Sequence, residues 1–265
     1  MQGCGRTAGA AAAALILIAG CEGGSGAAPT AAPSTSRPGA VPRSAELRLH
    51  WRFDEVTDPV TEVADASGEG RTGTAIASSG GRVEAVRPGH DGVGGAVRFP
   101  AVCIEVDGRC PRAAIQGPAD PALDPGTAPF TFGVRVRVER AELTPAHGSN
   151  LMQKGSSLTS QWKLQIDDAR GGRPSCVVRA AGGAPFTLVR ARAGVADGRW
   201  HEVVCRRTAG ELQILVDGEV VGAAAVAPGL VVAPAGMPVV AGAANAAIRN
   251  DQFHGELDEV FFAVG

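Results

Sequence analysis

HEVVC, residues 201–205, is one residue short of H-E-x-x-H, the helical pattern in which two histidines four apart share a zinc ion and the glutamate acts as general base. His201 and Glu202 fill the first two positions, and Cys205, itself a competent zinc ligand, stands where the second histidine would be. That chemistry needs a helix, because a helix brings residues i and i+4 onto one face. The neighbours favour a strand instead: Val203 and Val204 are β-branched, and a short step leads to the strand-like run ELQILV. On a strand His201 and Cys205 share a face but lie roughly 13 Å apart at about 3.3 Å per residue, too far to hold one metal. No G-x-S-x-G, Walker A or H-x-x-E-H pattern occurs elsewhere.

Four cysteines remain once Cys4 and Cys21 near the N-terminus are set aside: Cys103, Cys110, Cys176 and Cys205. They permit three pairings. CIEVDGRC is a compact loop that favours Cys103–Cys110, leaving Cys176–Cys205 to join two strand-like segments. A zinc site is the rival reading, but there is no C-x-x-C pair, and export to an oxidising compartment favours disulfides.

Export is what the N-terminus implies. Residues 1–21, MQGCGRTAGAAAAALILIAGC, carry Arg6, an apolar run from Ala8 to Ala19, and the ending Ile18-Ala19-Gly20-Cys21. The run is short for a bilayer span and reads as a signal peptide. Its ending resembles a bacterial lipobox, which makes Cys21 the expected lipid attachment site and the outer face of the cell membrane the expected location. Residues 22–44 are mostly Gly, Ala, Ser, Thr and Pro and read as a flexible tether. Residues 45–265 are ample for one domain. The formal net charge of −2, without a basic run, argues against nucleic acid as a partner.

Within that domain, apolar and polar residues alternate. ELRLHWRF sets Leu47, Leu49, Trp51 and Phe53 on one face; FTFGVRVRV sets Phe130, Phe132, Val134, Val136 and Val138 against Thr131, Arg135 and Arg137; QWKLQID sets Trp162, Leu164 and Ile166 against Gln161, Lys163, Gln165 and Asp167. SCVVRAA, FTLVRARA, ELQILV, MPVVAGA and ELDEVFFAV add further strands, separated by turns such as Asp217-Gly218. Many antiparallel strands without convincing helices predict an all-β, two-sheet jelly-roll sandwich.

DGRWHEVVCRRTAGELQILVDGEVVG then resembles the central D-G-x-W-H-x-V … V-D-G pattern of laminin G-like domains, members of the concanavalin A-like lectin/glucanase superfamily. WRFDE, VADASGEGRTGTA and GGAVRF resemble the opening pieces, and FHGELDEVFF the closing G-x-I-D-E-V strand. The resemblance spans residues 47–264 and departs at Glu69, where asparagine is usual. It implies that Trp200 is a packing residue and that His201 hydrogen-bonds a neighbouring strand or loop. It also implies a structural calcium between Asp65 and Asp258, helped by carbonyls near Gly68–Arg71. The alternatives are that Asp65 organises its own glycine-rich turn and that Asp258 pairs with an arginine.

Glycosidases of this fold carry E-x-D-x-E or E-x-D-x-x-E on one strand, so that alternation aligns the nucleophile, a supporting aspartate and the acid. GELDEVFFA offers Glu256 and Asp258. Strict alternation then gives Val260 and Phe262 and turns Glu259 away, so no catalytic residue and no enzyme are expected. Trp51, Trp162 and Trp200 each read as core rather than as a sugar platform. The remaining ligand-binding candidates are the polar face of QWKLQID, with Gln161, Lys163 and Gln165, and nearby Asn150 and Lys154. The expectation is a noncatalytic, surface-displayed binding module for a glycan or a cell-envelope or matrix protein. The alternatives are a glycosidase or polysaccharide lyase of the same fold, or a purely structural envelope protein.

Overall fold

The structure, a computed structural model, describes residues 41–103, 109–144, 148–167, 169–183 and 186–265. The expected signal peptide, Cys21 and the expected tether as far as residue 40 lie outside the described residues. In chain order the strands are β1 (Glu46–Trp51), β2 (Glu62–Val63), β3 (Gly73–Ser78), β4 (Glu84–Val86), β5 (Ala96–Arg98), β6 (Arg112–Gln116), β7 (Phe130–Glu139) and β8 (Ser149–Gly155). There follow β9 (Gln161–Asp167), β10 (Arg173–Arg179), β11 (Thr187–Arg190), β12 (Asp197–Arg207), β13 (Glu211–Val216), β14 (Glu219–Ala225), β15 (Val239–Ala241) and β16 (Glu256–Val264). Helix is limited to single turns among the described residues.

The strands form two antiparallel sheets packed face to face. The first runs β14-β13-β12-β7-β16-β5-β4, with β1 also paired to β16; the second runs β11-β10-β9-β8-β15-β6-β3-β2. As the alternation predicts, Phe130, Phe132, Val134, Val136 and Val138 of β7 face Trp162, Leu164 and Ile166 of β9 across one core. The Trp162 ring stands 4.9 Å from the ring centres of both Phe132 and Phe262, and its indole N–H donates to the Leu123 carbonyl at 3.1 Å. Each such aromatic pair contributes roughly 0.5–1.5 kcal/mol beyond simple burial.

Two disulfides are formed, Cys103–Cys110 and Cys176–Cys205. The second ties β10 to β12 through the core, from one sheet to the other, with the Cα atoms 5.7 Å apart. HEVVC is thus the middle of β12.

Bulges change which residues face inward, and there strict alternation fails. In β1 the register slips between Leu47 and Leu49. Leu47 therefore packs outside, with Val41, Val204 and Phe261, while Leu49 and Trp51 enter the core. In β16 Asp258 lies opposite Arg135 and Phe261 opposite Gly133, so Glu259 and Val260 together oppose a single residue of β7. Glu259 has φ +49°, an uncommon conformation for a side chain of this size. Leu257, Val260 and Phe262 consequently point into the core. Asp258, expected on the face of Val260, lies instead on the outer face opposite Arg135.

The Cys176–Cys205 bridge closes a loop with a sequence separation of 29 residues. Replacing both cysteines with alanine removes a constraint worth about 3–4 kcal/mol for a loop of that length. Urea unfolding of the double variant should show that loss while the folded circular-dichroism spectrum is retained.

Candidate functional site

His201 does not share a metal with Cys205, whose sulfur is taken by Cys176. Its ring nitrogens lie 2.8 Å from Asp217 Oδ2 and 3.1 Å from Asp197 Oδ1, so it fastens the start of β12 to the turn between β13 and β14. Burial pulls its imidazole down, but the bonds to Asp217 and Asp197 outweigh burial and leave the pKa above 6.5.

Trp200, expected in the core, is on the outer face of the first sheet. The register of β12 against β7 slips between Asp197 and Trp200, where Gly198 takes φ +78°, a conformation that glycine adopts without strain. Trp200 is half-buried, with the Arg137 guanidinium 5.0 Å from its ring centre and the His90 ring edge-on at 6.5 Å. A crosswise row, Trp200–Arg137–Glu256–Arg98–Glu84, is fixed by strand register. The buried Glu256 carboxylate is bridged by Arg98 and Arg137, and Arg98 also reaches Glu142 at 3.3 Å. Arg98, Arg137, Glu142 and Glu256 line a pocket of about 380 Å³ with Glu139 and Gly198.

The β16 bulge also brings Glu259 to the outer side, contrary to the strict alternation. His90, Asp258 and Glu259 each offer a ligand atom within 4.8 Å of one another. Each already has a partner. His90 Nδ1 lies 2.8 Å from Asp258 Oδ2 and its backbone N–H donates to the same oxygen; Glu259 pairs with His50 and Arg52. The hydrogen bond to Asp258 raises the His90 pKa above 6.5. Asp258 therefore pairs with a histidine, not an arginine, and neither an acid nor a nucleophile is left free on this strand.

Calcium fits these residues poorly. Asp65 does not join the His90 group. Its carboxylate accepts hydrogen bonds from the backbone of His50, Ser67 and Arg71 and from the Ser67 hydroxyl. It organises its own turn. The Arg71 carbonyl is taken by the Trp51 indole N–H at 2.9 Å. Calcium requires six to eight oxygen ligands, and here N–H donors and an imidazole occupy the carboxylates.

The second sheet has a different outer face. Gln161, Lys163, Gln165 and Asp167 of β9 point outward, and Asn150 and Gln153 of β8 lie opposite Gln165 and Lys163. Lys154 does not join them. A bulge between Asn150 and Met152 shifts the register, so Lys154 lies opposite Trp162, fully buried and paired with Asp124. In its place the structure adds Ser175 and Arg190, which continue the row Asn150–Gln165–Ser175–Arg190 across β8, β9, β10 and β11. Ser175 was legible in outline, since it alternates with the inward Cys176. Asp251, which pairs with Lys163 at 2.7 Å, comes from an irregular segment without a periodic signal.

Two members of that row are anomalous. Asn150 and Ser175 are fully buried, yet neither the amide nitrogen nor the oxygen of Asn150, nor the Ser175 hydroxyl, has a hydrogen-bond partner. An orphaned buried polar group costs about 1–3 kcal/mol, and such groups are few in native proteins.

The pattern of the concanavalin A-like lectin/glucanases superfamily matches residues 113–262, more than half of the chain. The chain belongs to this superfamily. No curated protein matches it in sequence. Among solved structures, this superfamily member is similar to domain 4 of AbnA, a GH43 extracellular arabinanase from Geobacillus stearothermophilus, in complex with arabinotriose. That likeness has a TM-score of 0.59 at 17% identity and covers 83% of this chain and 93% of that one. It is also similar to botulinum neurotoxin type C, whose access to cells is dependent upon interaction with two ganglioside molecules, with a TM-score of 0.56 at 9% identity over 82% of this chain and 47% of that one. The binding domain of botulinum neurotoxin DC in complex with rat synaptotagmin II gives a TM-score of 0.56 at 9% identity over 82% and 48%. The chain thus spans about half of the toxin chains. At these identities the likeness is one of fold.

His201 titrates at 6.5 when free of partners and higher when folded. Its pairs with Asp217 and Asp197 are fully stabilising below pH 6.5 and are lost as pH rises through the native value. Thermal melting should therefore fall on the alkaline side of that window, and His201→Gln should flatten this part of the profile. Melting in EDTA and in added calcium should coincide; a higher melting temperature with calcium would restore the ion at Asp65 and Asp258.

Proposed function

We propose that this protein is a noncatalytic glycan-binding module, exported and held at the outer face of the cell membrane by lipid on Cys21 through the 22–44 tether. The reading is carried by one observation: the outer face of the second sheet holds a group of neutral hydrogen-bonding side chains, with Gln165 partly open to solvent and Asn150, Gln153, Gln161 and Ser175 buried beside it. Amides and hydroxyls both donate and accept, as sugar hydroxyls do. The lipobox-like ending at Cys21 and the two disulfides fit an exported protein. Related folds that hold arabinotriose or depend on gangliosides fit a glycan ligand.

Hydrolysis is the less favoured chemistry. Retaining glycosidases need two carboxyls about 5–5.5 Å apart that are open to the substrate. Glu256 is buried beneath two arginines, and Asp258 and Glu259 are bound by histidines.

The full-length protein should be captured by at least one immobilised neutral oligosaccharide and release no reducing ends from it. Gln161→Ala combined with Gln165→Ala should weaken capture by about tenfold, the equivalent of one or two lost hydrogen bonds. Capture by no glycan, or turnover of a β-glucan panel, would overturn the reading.

A further inference from the structure

Asn150 and Ser175 raise a question that a solvated polar face does not answer: why two buried side chains on one row should be left without partners. The register supplies the cover. Arg190 on β11 pairs with Asp167 on β9, and β10 lies between those strands. Arg190 is opposite Ser175, and Asp167 is opposite Arg173. The ion pair therefore crosses the outer side of β10 beside Ser175.

The second pair repeats the arrangement. Lys163 on β9 is opposite Gln153 and reaches Asp251 at 2.7 Å. The Asp251 carbonyl accepts the Asn150 N–H from the other side of β8 at 2.8 Å. Lys163 thus spans β8 between Gln153 and Asn150. Each orphaned group sits beside an ion pair that bridges over its own strand.

Both covers lie at the edge of the solvent. In each pair one partner is partly open, Arg190 at 40% and Asp251 at 36% exposed, and the other is largely buried, Asp167 at 16% and Lys163 at 10%. Asp251 and the neighbouring Arg249 hold φ of +52° and +54°, which stores backbone strain in the segment carrying one latch. The groups beneath are uncharged. An amide with a free donor and a free acceptor matches two adjacent hydroxyls of a sugar ring, each of which can return the complementary bond.

We infer that Asn150, Gln165 and Ser175 form a closed subsite for the vicinal hydroxyls of a neutral sugar, and that the Lys163–Asp251 and Arg190–Asp167 ion pairs must part to admit it. The inference rests on the glycan-binding reading and locates its site. It has an unusual consequence. Salt reaches each latch from its exposed side and weakens it in part, while uncharged contacts are unaffected, so affinity rises with ionic strength, whereas an acidic glycan drawn to the lysine and arginine would bind more weakly.

The test is calorimetric titration of the full-length protein with arabinotriose, cellotriose and maltotriose, and with sialyllactose as the charged comparison, at about 0.05 and about 0.5 M salt. The expected result is binding of a neutral trisaccharide that strengthens with salt. Lys163→Met should strengthen it at low salt, and Asn150→Ala or Ser175→Ala should weaken it by about tenfold. The alanine variants remove groups without partners, so they should melt no lower than the parent; Ser175→Ala, smaller by one oxygen, guards against misfolding. If a neutral trisaccharide binds and both alanine variants bind it equally well, the orphaned groups hold only water and this subsite is wrong while the glycan-binding reading stands. A preference for sialyllactose that fades with salt overturns the latch. Binding seen only in Lys163→Met supports the latch. No binding by either protein overturns both readings.

Discussion

The bulge at Glu259–Val260 sits in a strand with neighbours on both edges, β7 on one side and β1 and β5 on the other, so its effect reaches across the first sheet. Before it, Leu257 points inward while Glu256 and Asp258 point outward. After it, Val260 and Phe262 fill the core and Phe261 lies outside. Without the extra residue, either the carboxylates or the aromatic ring would be on the wrong side, because a strand alternates with period two. The bulge thereby places three carboxylates together on one low-solvent surface. A buried carboxylate must be matched by donors or cations. Arg98, Arg137, His90, His50 and Arg52 meet that need. The charged layer of the first sheet follows from one backbone irregularity.

This divides the work between the sheets. The first uses its outer face to neutralise its own charges, and Trp200 covers part of that layer by lying against Arg137. The outer face of the second carries fewer charges and more amides, and the Lys163–Asp251 and Arg190–Asp167 pairs there span strands rather than joining neighbouring positions in a ladder. The core between them is common to both: Trp162 from one sheet is held between Phe132 and Phe262 of the other, and the Cys176–Cys205 bridge fixes their separation.

Much of this was legible in the sequence wherever period two holds without interruption. β7 and β9 have the faces that their alternation predicts, and HEVVC is a strand for the reason its valines suggest. Legibility ended at the bulges. Leu47, Trp200 and Asp258 were assigned by parity and Lys154 by its nearness to the polar face of β9, and each lies within a few residues of a register shift. A bulge leaves little trace in composition; Gly198 is a visible cue, whereas Glu259 takes a positive φ that its residue type does not announce. Partners supplied by irregular segments were equally hidden. His90 and Asp251 arrive from loops, and their distance in the chain from Asp258 and Lys163 could not be bridged by spacing rules.

The placement of β1 has a mechanical consequence. It is hydrogen-bonded to β16 in an antiparallel ladder whose outermost pair is Glu46 with Val264, and packing reaches back to Val41 beside Phe261. Tension transmitted along the chain toward Val41 is felt first at that outermost pair, and the ladder opens from there one rung at a time. The peeling meets its stop at the far end. There Asp65 accepts the His50 N–H, and Trp51 is sunk in the core with its indole bound to Arg71. Pulled from this end, the domain can yield its first few residues as slack while the second sheet stays intact.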